Sequence, residues 1–202
     1  MTALTDSLAE GAVQAVLEAG ELLTDPAAVQ SIRSKGETDY VTNVDVAVQA
    51  FLRERLAALA PDVQFMGEEQ DNTGLDWSRP CWILDPVDGT TNLIHNFRHS
   101  AVSLALSEAG QILFGVVYNP YSGECFTARR GQGAFCNGSP IRVSSADRLE
   151  DSLLSVGTVP GRRKLADTAF RQMRTLYDTC QDVRRTGCAS LDLCWVACGR
   201  LD

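Results

Sequence analysis

The sequence predicts a layered arrangement of helices and strands, α/β or α+β, in two lobes spanning residues 1–145 and 146–202. Three observations predict it. Two stretches near the N-terminus repeat apolar residues at helical spacing. Short apolar runs separated by turn residues fill the middle of the chain. From about Asp151 strand-like and helix-like segments alternate.

Residues 5–23 set Leu8, Ala12, Ala15, Val16, Ala19, Leu22 and Leu23 on one face of a helix. A second helix is expected to start near Thr42. Thr42-Asn-Val-Asp45 has the form of a capping box, and Val46, Phe51, Leu52, Leu56 and Leu59 follow it. Between the two lies the polar, turn-rich connection Ser34–Asp39. Val63–Met66 and Cys81–Leu84 are short apolar runs that end in acids, which predicts buried strands with carboxylates at their tips. Ala101–Ser107, Ile112–Asn119 and Glu124–Ala128, divided by Glu-Ala-Gly and Pro-Tyr-Ser-Gly, predict an antiparallel meander. Asn137-Gly138 marks a hairpin within 134–143. In the second lobe the pattern predicts a strand at Ser152–Val156, a helix through Lys164–Thr179, a strand near Asp182–Arg185 and a helix from about Ala189.

The composition restricts function. A net charge of −8 argues against a nucleic-acid or anionic-membrane surface, which needs a basic patch. The longest apolar runs are too short to span a bilayer. The N-terminus carries acids where a secretory signal needs cations, so the cytoplasm is the expected location. The seven cysteines show no C-x-x-C pair, and the two histidines, His95 and His99, complete no zinc pattern. The thiols are expected to be reduced and mostly buried. The histidines are expected at structural or rim positions, and Trp77, Trp82 and Trp195 in packing.

The chemistry concentrates at Asp85-Pro-Val-Asp-Gly-Thr-Thr-Asn92. Asp85 and Asp88 stand at the end of an apolar strand with Pro86 stiffening the turn. Gly89 admits close backbone approach, and Thr90 and Thr91 offer hydroxyls and amides to an anion. Carboxylates beside free amides suit Mg²⁺ and a phosphate, and Glu68, at the tip of the preceding strand, completes an acidic group. Each feature alone has a plain structural reading. Asp-Gly is a common turn, Glu68-Glu69 a solvated pair, Asp45 a helix cap, and Arg184-Arg185 either a border for an anion or solvated surface.

In combination and in order the segments are far more specific. Lys35–Asp45 (Lys-Gly-x-x-Asp-x-Val-Thr-x-x-Asp), Gly67-Glu68-Glu69 and Trp82–Asn92 resemble the motifs of the inositol monophosphatase family. The likeness continues through Phe114–Pro120, Thr127–Gly138, Arg184–Asp192 and Val196–Asp202. It implies the αβαβα sugar-phosphatase fold with its second lobe incomplete, and Mg²⁺-dependent hydrolysis of a small phosphate monoester by activated water. By position, the resemblance makes Glu68, Asp85 and the Val87 carbonyl ligands of one Mg²⁺. Asp85 and Asp88 share a second ion, and Asp45 and Thr90 position and deprotonate the attacking water. The Gly89 and Thr90 amides hold phosphate, while Asp88 and the backbone of Gly187, Cys188 and Ala189 face the alcohol. A homodimer is also implied.

Family members continue past the Gly-Arg-Leu-Asp stretch to a Trp-Asp pair whose aspartate is the remaining ligand of the second ion. The chain is therefore expected to be part of a longer gene product, ahead of completion by another polypeptide or degeneration, and as given to bind one Mg²⁺ and turn over slowly. Asp192, inside a helix, and Asp202, at a frayed end, are not expected to substitute. Thr91 favours the inositol type over the nucleotide and histidinol types, which carry Lys there more often. Fructose 1,6-bisphosphate and 3′-phosphoadenosine nucleotides remain alternatives. From a different class stands a non-catalytic regulatory relative.

Overall fold

In the computed structural model, residues 4–25, 29–34, 40–158 and 160–202 are described, 160 and 161 by backbone only. Helix α1 (Asp6–Thr24) starts with Thr5 accepting from the Leu8 amide, and its Ala9, Ala12, Val16, Ala19 and Leu23 are buried. Helix α2 (Asn43–Leu59) carries the predicted capping box, with Thr42 and Asp45 reciprocally bonded. Between them a short antiparallel ribbon, β1 (Ile32–Ser34) with β2 (Tyr40–Thr42), stands where the sequence predicts only a connection. Lys35–Asp39 lie outside the described residues.

The centre is a seven-stranded sheet: β3 (Gln64–Gly67), β4 (Cys81–Asp88), β5 (Ala101–Glu108), β6 (Gln111–Asn119), β7 (Glu124–Arg129), β8 (Gly133–Cys136) and β9 (Ser139–Pro140), neighbours in that order. All pairs are antiparallel except β3–β4. The predicted meander is present, and Asn137 and Gly138 take the paired positive φ (49° and 77°) of a tight hairpin turn. Alternation sends Val102, Leu104, Leu106 and Val116 to the face covered by α1 and α2. Ala101 and Phe126 point to the other face, where Leu191 and Cys188 pack from helix α5 (Ala189–Ala197). Beyond α5 a parallel pair, β10 (Leu153–Ser155) with β11 (Asp182–Arg184), carries helix α4 (Ala166–Tyr177) against β11. The predicted succession of helix and sheet layers is thus observed.

Three expectations need correction. Strand β4 does not stop at Leu84. It continues to Asp88 through a register break between Asp85 and Asp88, where Pro86 has no amide to donate to the ladder. Asp202 is not frayed: its amide donates to the Leu153 carbonyl at 3.0 Å, its Oδ2 accepts from the Leu153 amide at 2.8 Å, and Ser144 donates to Oδ1. Trp77 is half exposed and so lies outside the core of the chain, whereas Trp82 is buried. All seven cysteines are free, two of them fully buried. No helix among the described residues is long and apolar enough to cross a membrane.

Candidate active site

The parallel register of β3 and β4 builds the acidic centre. Gly67 lies opposite Leu84, so the next residues, Glu68 just past the end of β3 and Asp85 within β4, come side by side. Glu68 is held from behind by α2, where the Gln49 side-chain oxygen accepts from the Glu69 amide at 2.9 Å. The break in β4 turns the chain within four residues. Asp85 Oδ1 accepts from the Val87 amide at 3.1 Å, and Gly89, at φ +91°, starts helix α3 (Thr90–Ile94). The first amides of such a helix have no acceptor within it and are available to an anion.

Electrostatically Asp85 is frustrated. Burial, then the charges of Glu68 and Asp88, push its carboxyl up to about 8. A carboxylate group under that pressure fits a divalent cation, whose charge would relieve all three acids. Among the described residues no three ligating side chains form a finished cage. Asp88 explains part of this. Its Oδ2 is taken by the Ser190 amide at 2.6 Å and the Cys188 thiol at 3.3 Å, so that oxygen serves the start of α5.

Asp45 combines two roles that the sequence leaves as alternatives. One oxygen caps α2, accepting from the Thr42 amide and hydroxyl at 2.8 and 2.6 Å. The other accepts from the Thr90 hydroxyl at 3.2 Å. That hydroxyl has a single hydrogen and a second acceptor, the Val87 carbonyl at 3.0 Å. Asp45 is almost wholly buried, and burial raises its pKa despite these donors, which suits it to receive a proton.

These parts border a cleft of about 830 Å³. Glu68, Asp85, Val87, Asp88, Gly89, Thr90, Gly187 and Ala189 line it, and Asp45 lies behind Thr90. Cys188 stands in the wall but exposes no surface, its thiol spent on Asp88. Asp192 is in the first turn of α5 and reaches the cleft, accepting from Thr186 and Ser155 at 2.7 and 2.8 Å, so its helical position does not remove it. His95 is on the rim, and His99 packs against Trp195 with ring centroids 5.1 Å apart.

Asn92 ends the sequence motif without a chemical role, and the structure supplies a structural one. Its amide donates to the carbonyls of His99 and Thr186 at 2.7 and 2.9 Å, tying α3 to the segment that carries Gly187. Asn92→Ala is expected to lower stability by about 1–2 kcal/mol, read as the urea midpoint, and to weaken substrate binding more than it slows turnover. An unshifted midpoint would contradict this.

Carboxylates gathered where the parallel strands end, beside a helix start and a buried aspartate, suit a phosphoric monoester hydrolase that works with a cation. The chain belongs to the inositol monophosphatase family, whose model matches residues 4–202. It is 40% identical over 194 residues to an inositol-1-monophosphatase of Rhizobium meliloti, covering 94% of this chain and 73% of that protein. It is 39% identical to Nus factor SuhB of Escherichia coli K12, over 95% of this chain and 73% of that protein. Among solved structures, the extragenic suppressor protein SuhB of Bartonella henselae superposes with a TM-score of 0.91 at 36% identity, over 98% of this chain and 76% of that one. An IMPase of Thermotoga maritima gives 0.88 at 30%, covering 98% and 75%.

Proposed function

We propose that the protein hydrolyses a myo-inositol phosphate monoester with Mg²⁺ as cofactor. The observation that carries the reading is the placement of Glu68 beside Asp85, with Thr90 bridging the same turn to buried Asp45. Glu68, Asp85 and the Val87 carbonyl would hold one Mg²⁺, and Asp85 and Asp88 would supply part of a second site, all hard oxygen donors. Bound there, the metal neutralises phosphate charge and acidifies a water.

The chain's own residues supply the remaining steps. The Gly89 and Thr90 amides hold the phosphate, fixing it in line with the water. With its hydrogen directed to Asp45 Oδ1, Thr90 Oγ1 takes a proton from the water as it passes its own to the buried carboxylate. Water oxygen bonds to phosphorus, the phosphorus–alcohol bond breaks, and the proton removed by the Asp45–Thr90 pair is available to the departing alkoxide. Asp88, fixed by Ser190, and the Gly187–Ala189 backbone face that alcohol.

The likeness to a Nus factor supports a second reading, binding to another macromolecule without hydrolysis. The complete set of Asp45, Glu68, Asp85, Asp88 and Thr90 favours chemistry. The test is phosphate release from myo-inositol 1-phosphate with and without Mg²⁺, on this chain and on a form extended through the family's Trp-Asp segment. Mg²⁺-dependent release, faster in the extended form, is expected. No release from either form would overturn the hydrolase reading.

A further inference from the structure

Helix α2 carries two buried polar side chains, Asp45 and Gln49, four residues apart on one face. Asp45 belongs to the chemistry above. Gln49 has no part in it, yet it stands in a helix face made otherwise of Val44, Val48, Leu52 and Leu56. A polar group buried there costs free energy unless its hydrogen bonds are made. Its Oε1 accepts from the Glu69 amide at 2.9 Å. Its side-chain amide lies against Gly67, where a Cβ would stand 2.5 Å from Gln49 Cδ. Glycine at 67 leaves that amide its seat.

Gly67 is held as well by Asn72. Asn72 Oδ1 accepts from the Gly67 amide at 3.3 Å, and Nδ2 donates to the Gly67 carbonyl at 2.7 Å. One side chain thus does what a further strand would do at the open edge of β3. Gln70 steadies the arrangement, its Nε2 donating to Asn72 Oδ1 and to the Phe65 carbonyl, both at 3.0 Å. Glu68 sits between these two clamps, with the residue before it fixed by Asn72 and the residue after it by Gln49. The fixing has a purpose, because the charges of Glu68 and Asp85 repel. In a loose turn Glu68 would swing away into water. The two clamping amides oppose that swing and, being neutral, add no charge to the acidic group.

We infer that Gln49 and Asn72 are positioning residues, which hold Glu68 beside Asp85 against their mutual repulsion and thereby set the affinity of the first Mg²⁺ site. The inference rests on the hydrolase reading for the identity of the metal ligands. Its consequence is a preformed half-site, in which the cation meets Glu68 and Asp85 already side by side.

Calorimetric titration of the substrate-free chain with Mg²⁺ alone tests it, below the melting midpoint of each metal-free variant. Gln49→Met keeps the length of the side chain and loses the acceptor. It is expected to raise the Kd for Mg²⁺ about tenfold, the lower end of the effect of removing a partner of a metal ligand. Asn72→Ala, at a part-exposed position, is expected to weaken binding on the same scale. Gln49→Glu keeps an acceptor oxygen at the same reach and should bind Mg²⁺ no more weakly than the parent. With myo-inositol 1-phosphate, the Mg²⁺ concentration for half-maximal release should rise by the same factor in the first two variants. Their rate at saturating Mg²⁺ should stay within about twofold of the parent's. A role in folding alone would lower the melting temperature and leave the Kd unmoved, and that result overturns the inference. So does an equal loss of affinity in Gln49→Glu, or a parent that binds no Mg²⁺. The two readings fail separately. Unmoved affinity together with Mg²⁺-dependent release sinks only the positioning inference. Weakened affinity in the variants, without release from any form including the extended one, sinks only the hydrolase reading.

Discussion

Asp85→Asn is expected to cut Mg²⁺-dependent phosphate release by about 10³-fold while making the metal-free protein more stable at pH 8. The two effects share one cause. Burial and the charges of Glu68 and Asp88 push the Asp85 carboxyl up to about 8 in the folded protein, from an ordinary value of 3.8. A folded-state pKa above the unfolded one means that the native state holds the proton more tightly. The associated stability is present in full below about pH 4 and is lost as the pH rises through 8. The loss is on the order of a few kcal/mol. Asparagine does not titrate, so the variant's melting temperature should stay flatter than the parent's between pH 5 and 9. Added Mg²⁺ should raise the melting temperature of the parent at pH 8 and leave the variant nearly unmoved. Differential scanning fluorimetry across that range reads both. Parallel pH profiles for parent and variant without metal would show that Asp85 is not under pressure.

The second large effect is expected at the buried proton acceptor. Asp45→Asn should lower kcat about 10²-fold with little change in KM, because the lost group acts on water rather than on the ester. Thr90→Val should produce a similar drop, and the double variant should be little worse than either alone, as for groups that act in series. Thr90→Ser keeps the hydroxyl and should restore most of the rate. Asp45→Asn should also cost about 1 kcal/mol of stability, since the same carboxylate closes the cap of α2. Additive losses in the double variant would separate the two residues and remove the proposed relay.

Much of this architecture is legible in the sequence, for identifiable reasons. Helix α1 and the β5–β7 meander announce themselves by period, because each has one face on a shared core and local turn residues at its ends. The acids are found because Gly67-Glu68-Glu69 and Asp85–Asn92 occur together and in order, since each alone reads as a turn or a solvated pair. What sequence spacing does not carry is pairing. That β3 runs parallel to β4, setting Glu68 beside Asp85, is a long-range register that neither strand encodes alone. The extension of β4 past Leu84 is hidden because Pro86 reads as a strand end, although a bulge tolerates it. The extent of Asp192's reach and the anchoring of Asp202 depend on β10, far away in the chain. Arg185 shows the same limit. Its neighbour Gly187 enters the sequence reading only through the family resemblance, and the guanidinium beside it is seen only in three dimensions.

The bonds of Asn92 and Asp88 to the Thr186–Ser190 stretch have an evolutionary reading. Every group assigned to the chemical step lies between Thr42 and Asn92, in one unbroken stretch of chain. On the proposed reading the backbone facing the alcohol lies between Val156 and Asp192, and Asn92, Asp88 and Cys188 help join the two stretches. On that reading, the reaction and the choice of alcohol are thus held by separate stretches of one chain, so that substitutions in one need not disturb the other.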